Sequence, residues 1–331
     1  MRTRVTELLG IDAPIIQGGM ARIADASLAA AVSEGGGLGV IAGGGASLEW
    51  MEQQVGMARS LTSKPIGVNI MLMDPQAAQL AKLVCELGVE VVTTGAGSPV
   101  EYLPMWKEAG IKVIPVVATT AQAKRMERLG VDAVVAEGTE SGGHVGELTT
   151  MALVPSVCAA VSIPVIAAGG IADGRGICAA FALGAEGVQM GTRFLTVEEC
   201  TVADEYKLFV LKAQDSDTRV IGRGSGHPVR CLKNPFSRQI RLLETDLAAN
   251  GVEIEAMHLG ALRRAVGGDV ANGTVMAGQV AALVAQRKSA AEVIAELVAE
   301  AEALGALDLD AVAALNARRQ RMLSDDGAGE D

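Results

Sequence analysis

The chain has 331 residues, half of them hydrophobic, a formal charge of −11 and few aromatic side chains. So apolar and sparsely charged a chain is not disordered, and its length fits one large α/β domain or two medium ones. An acidic chain poor in aromatics lacks both the basic footprint and the stacking platform of a nucleic-acid binder, which excludes nucleic acid as a partner.

Cys85, Cys158, Cys178, Cys200 and Cys231 are scattered, odd in number and without a C-x-x-C pair. That argues against a disulfide framework or a zinc site and for a reducing compartment. The N-terminal MRTRVTELLG has neither the apolar stretch nor the cleavage site of a signal peptide. The expected location is the cytoplasm.

In chain order, one pattern repeats. Short apolar, β-branched runs end in glycine or small polar residues, and an Ala/Leu-rich helical stretch follows each. The runs are Pro14–Gly18, Gly37–Ala42, Pro65–Ile70, Val89–Thr93, Lys112–Val117, Asp132–Ala136, Pro164–Ala168 and Glu186–Met190. Continuous rather than alternating apolar runs indicate strands buried on both faces, the mark of a parallel sheet. Eight strand–helix units favour a (β/α)8 TIM barrel over an open doubly wound sheet.

Helix signals sit where this pattern needs them. The segment from Ala123 to Leu129 stops at Gly130, and Asp173 caps a helix running toward Gly184. Ser289-Ala290-Ala291-Glu292 reads as a capping box opening a helix to about residue 304. The uncharged run from Leu148 to Ala172 has the length of a membrane span, but Pro155, Pro164 and Gly169-Gly170 break it into helix, turn and strand. No membrane association is expected.

Residues 215–265 lose the strand–helix beat. They are read as a small cap or lid inserted before the last barrel helix, with residues 1–214 and 266–331 forming the barrel and its C-terminal helices. A helix is also expected over 273–287, and the terminal SDDGAGED as a solvated end.

In this fold the active site lies at the C-terminal ends of the strands. Those ends are rich in glycine here: Gln17 to Met20, Gly43 to Gly45, Asn69 to Met71, Thr93 to Gly97, Glu137 to His144, Gly169 to Ala172 and Gly191 to Phe194. Ordinary turn glycine explains part of this. The remainder suits a large flat ligand held by backbone N–H groups. Gly169-Gly170 and Gly191-Thr192, after the seventh and eighth runs, occupy the usual phosphate position. Neither a P-loop nor a dinucleotide-binding glycine motif occurs.

His144 lies on this rim, where an imidazole can donate to a ligand oxygen or move a proton. His227 falls in the presumed lid, and His258 reads as a structural histidine on a helix. Glu137 is a buried acid or a ligand contact. Asn69 offers an amide to a heterocycle edge. The stretch 219–243 carries Arg219, Arg223, Arg230, Lys233, Arg238 and Arg241 without an acidic residue. It is either a solvated segment paired with the acidic remainder or a docking surface for an anionic partner.

Several of these segments together resemble a known family: Ile15 to Met20, Gly67 to Met71, Val91 to Gly97, Ala136 to Gly138 with Ser141 to His144, Leu148 to Met151, Pro164 to Ala172, Gly191 to Phe194 and Val275 to Gln279. From Arg2 to about residue 300 the chain is similar to the FMN-dependent, type II enoyl-acyl-carrier-protein reductases of bacterial fatty-acid synthesis. These belong to the nitronate monooxygenase-like flavoproteins.

The resemblance implies FMN across the barrel mouth, with its phosphate on Gly169, Gly170, Gly191 and Thr192. Asn69 and the Met20–Ala21 backbone would face the ring. Further cofactor contacts carry over to Gly19, Gly43, Gly44, Thr94, Gly95, Glu137, Gly143, Ala168, Gln189 and Met190. NADH or NADPH would be the reductant, a trans-2-enoyl thioester the substrate and His144 the catalytic residue. An acyl carrier protein would be the partner, docked on the basic run through Arg223, His227, Arg230 and Lys233. A homodimer is implied, as is a monovalent cation near the Met276 and Ala277 carbonyls. Two other readings stay open: a nitronate monooxygenase, in which His144 is a base on a nitroalkane carbon, and a flavin-binding barrel that senses without turnover.

Overall fold

The computed structural model describes residues 1–305. Its strands are β1 Ile15–Gln17, β2 Gly39–Ala42, β3 Ile66–Met71, β4 Val91–Gly95, β5 Lys112–Val117, β6 Val134–Glu137, β7 Gly143–His144, β8 Val165–Ala168, β9 Gly187–Met190, β10 Thr218–Ile221 and β11 Val229–Leu232. Eight of them pair in the order β1-β9-β8-β6-β5-β4-β3-β2, all parallel. A parallel bridge between Ile16 and Leu38 joins the two ends of this sheet. The result is a (β/α)8 barrel, and each of its strands coincides with one of the apolar runs, β3, β4 and β6 running past the C-terminal end of theirs to Met71, Gly95 and Glu137.

Alternation within the strands sorts the core into two shells. Ile16, Val40, Ile114, Val135 and Ile166 cluster with Val5 and Leu9 of the N-terminal helix Arg4–Leu9. This is the barrel interior, with that helix packed against it. The neighbours Ile15, Ile41, Val113, Val134 and Ala167 belong to the larger shell between sheet and helices. Burial on both faces is why the strands read as unbroken apolar runs.

Closure between β1 and β2 depends on a side chain. Gln17 is fully buried. Its Nε2 donates to the Val40 carbonyl at 3.2 Å and its Oε1 accepts from the Val40 amide at 3.1 Å. The Gln17 amide thus replaces a stretch of missing ladder, and it also donates to the Gly18 carbonyl.

The expected helices stand at Thr120–Arg128, Gly174–Ala182 with Asp173 as N-cap, and Ala290–Ala303 with the Ser289–Glu292 capping box. Ala290–Ala303 packs against the helices Gly174–Ala182 and Ala26–Glu34, on either side of the β1 seam, as the eighth barrel helix must. The apolar run from Leu148 to Ala172 is helix Thr150–Cys158, a turn and β8. No helix among the described residues is long and apolar enough to cross a membrane. The five cysteines are reduced.

The helix expected over 273–287 is not there. The segment is irregular apart from a short 3-10 turn, Gln279–Leu283. Gly273 and Gly278 pack backbone on backbone, and a Cβ on Gly278 would lie 2.7 Å from the Glu140 carbonyl. Leu232 N donates to Val275 O at 2.8 Å, drawing this segment against β11 instead. The terminal SDDGAGED lies outside the described residues.

Between the eighth barrel strand and the last barrel helix, β10 and β11 form a hairpin, followed by helices Pro235–Leu243, Leu247–His258 and Ala261–Val266. Ile221, Val229, Cys231, Phe236, Ile240 and Ile254 give these elements a small core of their own. β7, on the loop after β6, pairs with β11, so the hairpin is stitched to the barrel rim.

Gln17→Leu strips the Val40 amide and carbonyl of their partner and should lower stability by about 2–3 kcal/mol. Gly56→Ala should raise it by about 0.5–1 kcal/mol, because Gly56 lies inside helix Leu48–Leu61 and a Cβ there meets nothing. Urea midpoints of the two variants, displaced in opposite directions from the parent protein, are the check.

Candidate active site at the barrel mouth

The C-terminal strand ends converge on one another. A Cβ on Gly19 would collide with the Asn69 side chain, and one on Gly18 would press on Gln189 at 3.0 Å. A Cβ on Gly191 would lie 3.4 Å from Met20 Sδ, and one on Gly44 3.7 Å from the Ala21 Cβ. Glycine here lets strands β1, β2, β3 and β9 approach closely enough to leave a shallow floor lined by backbone.

Asn69, at the end of β3, is fixed from beneath: its Nδ2 donates to Thr93 Oγ1 at 3.0 Å. Its carbonyl accepts the Gly43 amide at 2.8 Å, which ties the β2 loop to β3. Thr94 Oγ1, next on β4, is buried and has no partner. The loops after β1 and β4 each hold a non-glycine residue in the left-handed region, Arg22 at φ 64° and Ala96 at φ 54°. Strain of this kind, of order 1–3 kcal/mol, collects at functional rims.

The phosphate position is built from the β8 and β9 ends. Gly169 and Gly170 take φ values of 90° and 75°. Among the described residues, none accepts from the amides of Gly169, Gly170 or Thr192. Thr192 Oγ1 accepts from the Gly278 amide at 2.8 Å. Ser141, whose amide lies against Gly169, is buried, and its hydroxyl faces the Glu137 carboxyl. Unspent amides, the orphaned Thr94 hydroxyl and a glycine floor form a cradle that suits a flat ligand carrying a phosphate.

Glu137 ends β6, opposite Ala168. Burial pushes its carboxyl up to about 7, so it is largely protonated at slightly acidic pH and able to donate a hydrogen bond. Glu140 is directed elsewhere. Its carboxylate accepts from the Thr150 amide and hydroxyl at 3.0 Å, at the N-terminus of helix Thr150–Cys158. The Thr150 hydroxyl shares its one proton with the Gly169 carbonyl, 2.9 Å away. Thr150 therefore joins the β6 loop to the phosphate position. Its motif was visible in the sequence, but this role was not, because the link closes only in three dimensions.

His144, on β7, is exposed at the rim. Desolvation by the surrounding rim, and the nearby His227, lower its pKa from the usual imidazole value. The neutral ring therefore dominates at pH 7. Gly143 before it takes φ 77°, and a Cβ there would lie 3.5 Å from Met276 Sδ. The Met276 carbonyl accepts from the Tyr206 hydroxyl at 2.7 Å, so part of its acceptor capacity is already used. His258 is structural, edge-on to Phe236 at 6.0 Å.

The basic run does not act as one surface. Arg230 is a correction: it is buried, its Nε donating to the Thr139 carbonyl at 3.0 Å and its Nη1 to Thr218 Oγ1 at 3.1 Å. It ties β11 to the β6 loop and is closed to a docking partner. Arg223 is exposed but paired with Glu147 at 2.5 Å. Lys233 is half-buried, whereas Arg238 and Arg241 are exposed on helix Pro235–Leu243.

Known proteins sharpen this picture. The family model for nitronate monooxygenase matches residues 2–300. A Mycobacterium tuberculosis protein, (3aS,4S,5R,7aS)-5-hydroxy-7a-methyl-1-oxo-octahydro-1H-indene-4-carboxyl-CoA dehydrogenase, is 38% identical over 267 residues, covering 80% of this chain and 74% of its own length. A probable nitronate monooxygenase of Staphylococcus aureus is 33% identical over 292 residues, covering 74% and 82%. The structure of FabK from Thermotoga maritima superposes with a TM-score of 0.89 at 50% identity, over 92% of this chain and 97% of that one. A nitroalkane oxidase from Streptomyces ansochromogenes gives 0.77 at 28% identity, over 90% and 98%. The chain belongs to the nitronate monooxygenase family, a family of flavin-dependent oxidoreductases.

Proposed function

We propose that this protein reduces the 2,3 double bond of an enoyl thioester carried on acyl carrier protein, with NADH or NADPH as reductant and FMN as the bound cofactor. The observation that carries the reading is the 50% identity to FabK, an enoyl-acyl-carrier-protein reductase of type II, against 28% to the nitroalkane oxidase at similar coverage. FMN, when bound, supplies a two-electron carrier between the nicotinamide and the enoyl β-carbon.

The chain's own residues hold and orient. The Gly169, Gly170, Gly191 and Thr192 backbone would hold the phosphate, and the Met20–Ala21 backbone and Asn69 would hold the ring. Glu137, largely protonated at slightly acidic pH, offers a donor at the β6 end. His144 stands at the open side. Its neutral ring would offer an N–H to the thioester oxygen and would manage the proton bound for Cα. Met73 and Leu148 on rim loops, and Met151 in the first turn of helix Thr150–Cys158, are exposed apolar side chains and give an acyl chain an apolar lip.

A second reading is favoured by the family model and by the Staphylococcus aureus relatives: oxidation of a nitronate, with His144 as base on the carbon that bears the nitro group. The depressed pKa of His144 suits a base. Nicotinamide separates the two readings, because only the reductase needs it.

The deciding experiment is anaerobic. Purified FMN-loaded protein is mixed with NADH or NADPH and then with crotonyl thioester. Bleaching by nicotinamide and recovery of colour on adding the thioester is the expected result. Bleaching by a nitronate but by neither nicotinamide would overturn the reductase reading.

Carrier docking is assigned to the exposed cations of the cap. Arg238→Glu with Arg241→Glu should raise KM for carrier-linked substrate several-fold and leave KM for the CoA thioester unchanged; equal effects on both would remove the docking role.

Glu137→Gln gives a stability signature. The folded protein holds a proton on Glu137 up to about pH 7, whereas an unfolded glutamate releases it near its ordinary value of about 4.5. The folded state binds more protons across that window, so this carboxyl lowers stability as pH rises through it. The variant should therefore melt higher than the parent protein at pH 8 and at the same temperature near pH 4, with a difference of roughly 1–3 kcal/mol.

A further inference from the structure

The cap hairpin carries an imidazole that the mechanism above does not use. β7 pairs antiparallel with β11, with His144 opposite Val229 and Gly143 opposite Arg230. The pairing continues past the strand, where the Val145 amide donates to the Pro228 carbonyl at 3.1 Å. In an antiparallel pair, the residue two positions from the direct partner shares its face and lies on the diagonal, roughly 7–8 Å away. For His144, one such diagonal neighbour is His227.

The turn that carries His227 is defined. Its amide donates to the Gly222 carbonyl at 3.0 Å, and Gly222 takes φ 80° with the His227 carbonyl against it, where a Cβ would collide. Both imidazoles are exposed at the rim, above the barrel mouth.

The other charged groups around His144 are already engaged. Glu147, on its own loop, pairs with Arg223 of the hairpin. Arg230 of β11 is buried and interacts with Glu140, whose carboxylate holds Thr150. Met276, against Gly143, carries no charge. His227 is the remaining group whose charge bears on His144, in the direction that keeps the His144 ring neutral.

We propose that His227 is a positioning residue for His144: held on the diagonal by the cap hairpin, it sets which form of the His144 ring faces the substrate. The functional half of this rests on the placement of His144 beside the reacting thioester under Proposed function. The electrostatic half does not. Two like-charged rings at this distance disfavour double protonation, so a proton on His227 holds His144 neutral. The hairpin and β7 share a sheet, so whatever settles on the cap acts on both rings together.

The chain has three histidines, so the imidazole signals of His144, His227 and His258 can be titrated one by one by NMR in the FMN-loaded protein. In His227→Gln the His144 midpoint should move to higher pH, and the limb of the pH–rate profile that reports His144 should move the same way. His227→Lys keeps the charge and should hold the midpoint at or below its parent value. An unchanged His258 titration shows that the cap is folded in each variant. An unchanged His144 midpoint in both variants overturns the proposal. A midpoint that moves in a protein that reduces no enoyl thioester sustains the coupling and rejects the reductase reading alone.

Discussion

The barrel mouth depends on how the sheet closes between β1 and β2. These strands meet at a single backbone bridge, Ile16 to Leu38, and the side chain of Gln17 completes the seam by pairing with both backbone groups of Val40. A buried amide in that position has no water to fall back on, so its hydrogen bonds are obligatory. Directly above it the chain continues as Gly18, Gly19 and Met20, which reach Gln189, Asn69 and Gly191. The seam thereby sets the height of the β1 loop against β3 and β9, and with it the depth of the floor.

Much of this was legible in the sequence, for a physical reason. Strands buried on both faces must be apolar throughout, so all eight announced themselves as unbroken runs. Asp173 and Ser289 are caps whose geometry is local and needs no tertiary partner. The failures are cases in which a distant element overrides local preference. Residues 273–287 have helical composition, but the segment is drawn against β11 through Val275, with Gly278 packed on the 138–142 loop and Gly273 on the backbone of helix Ala261–Val266. Arg230 looked like a surface cation because its neighbours in the chain are cationic. Its partners, Thr139 and Thr218, are 91 and 12 residues away. The Glu140–Thr150–Gly169 link was equally invisible, because each of its bonds spans a loop that closes only on folding.

Charge is distributed unevenly, with consequences for chemistry. The chain carries −11 overall, yet at the mouth Glu137 is largely protonated below about pH 7, Glu140 is spent on a helix N-terminus, and desolvation keeps the His144 ring neutral. The cradle therefore presents mostly backbone dipoles. Fixed dipoles of this kind receive a phosphate without the cost of reorganising charged side chains.

The strand that bears His144 is paired with the hairpin and not with the barrel sheet. In modular terms, the imidazole proposed to stand nearest the chemistry travels with the cap. Exchange of that cap between members of the family, by recombination or by design, could not be made at the hairpin alone. The segment from Gly138 to Thr149 would have to be exchanged with it, together with the Val275–Gly278 stretch that packs on its underside. Divergence of substrate range within this architecture is thus expected to proceed by concerted change in three stretches far apart in sequence, and single-loop replacement is expected to leave the imidazole unsupported.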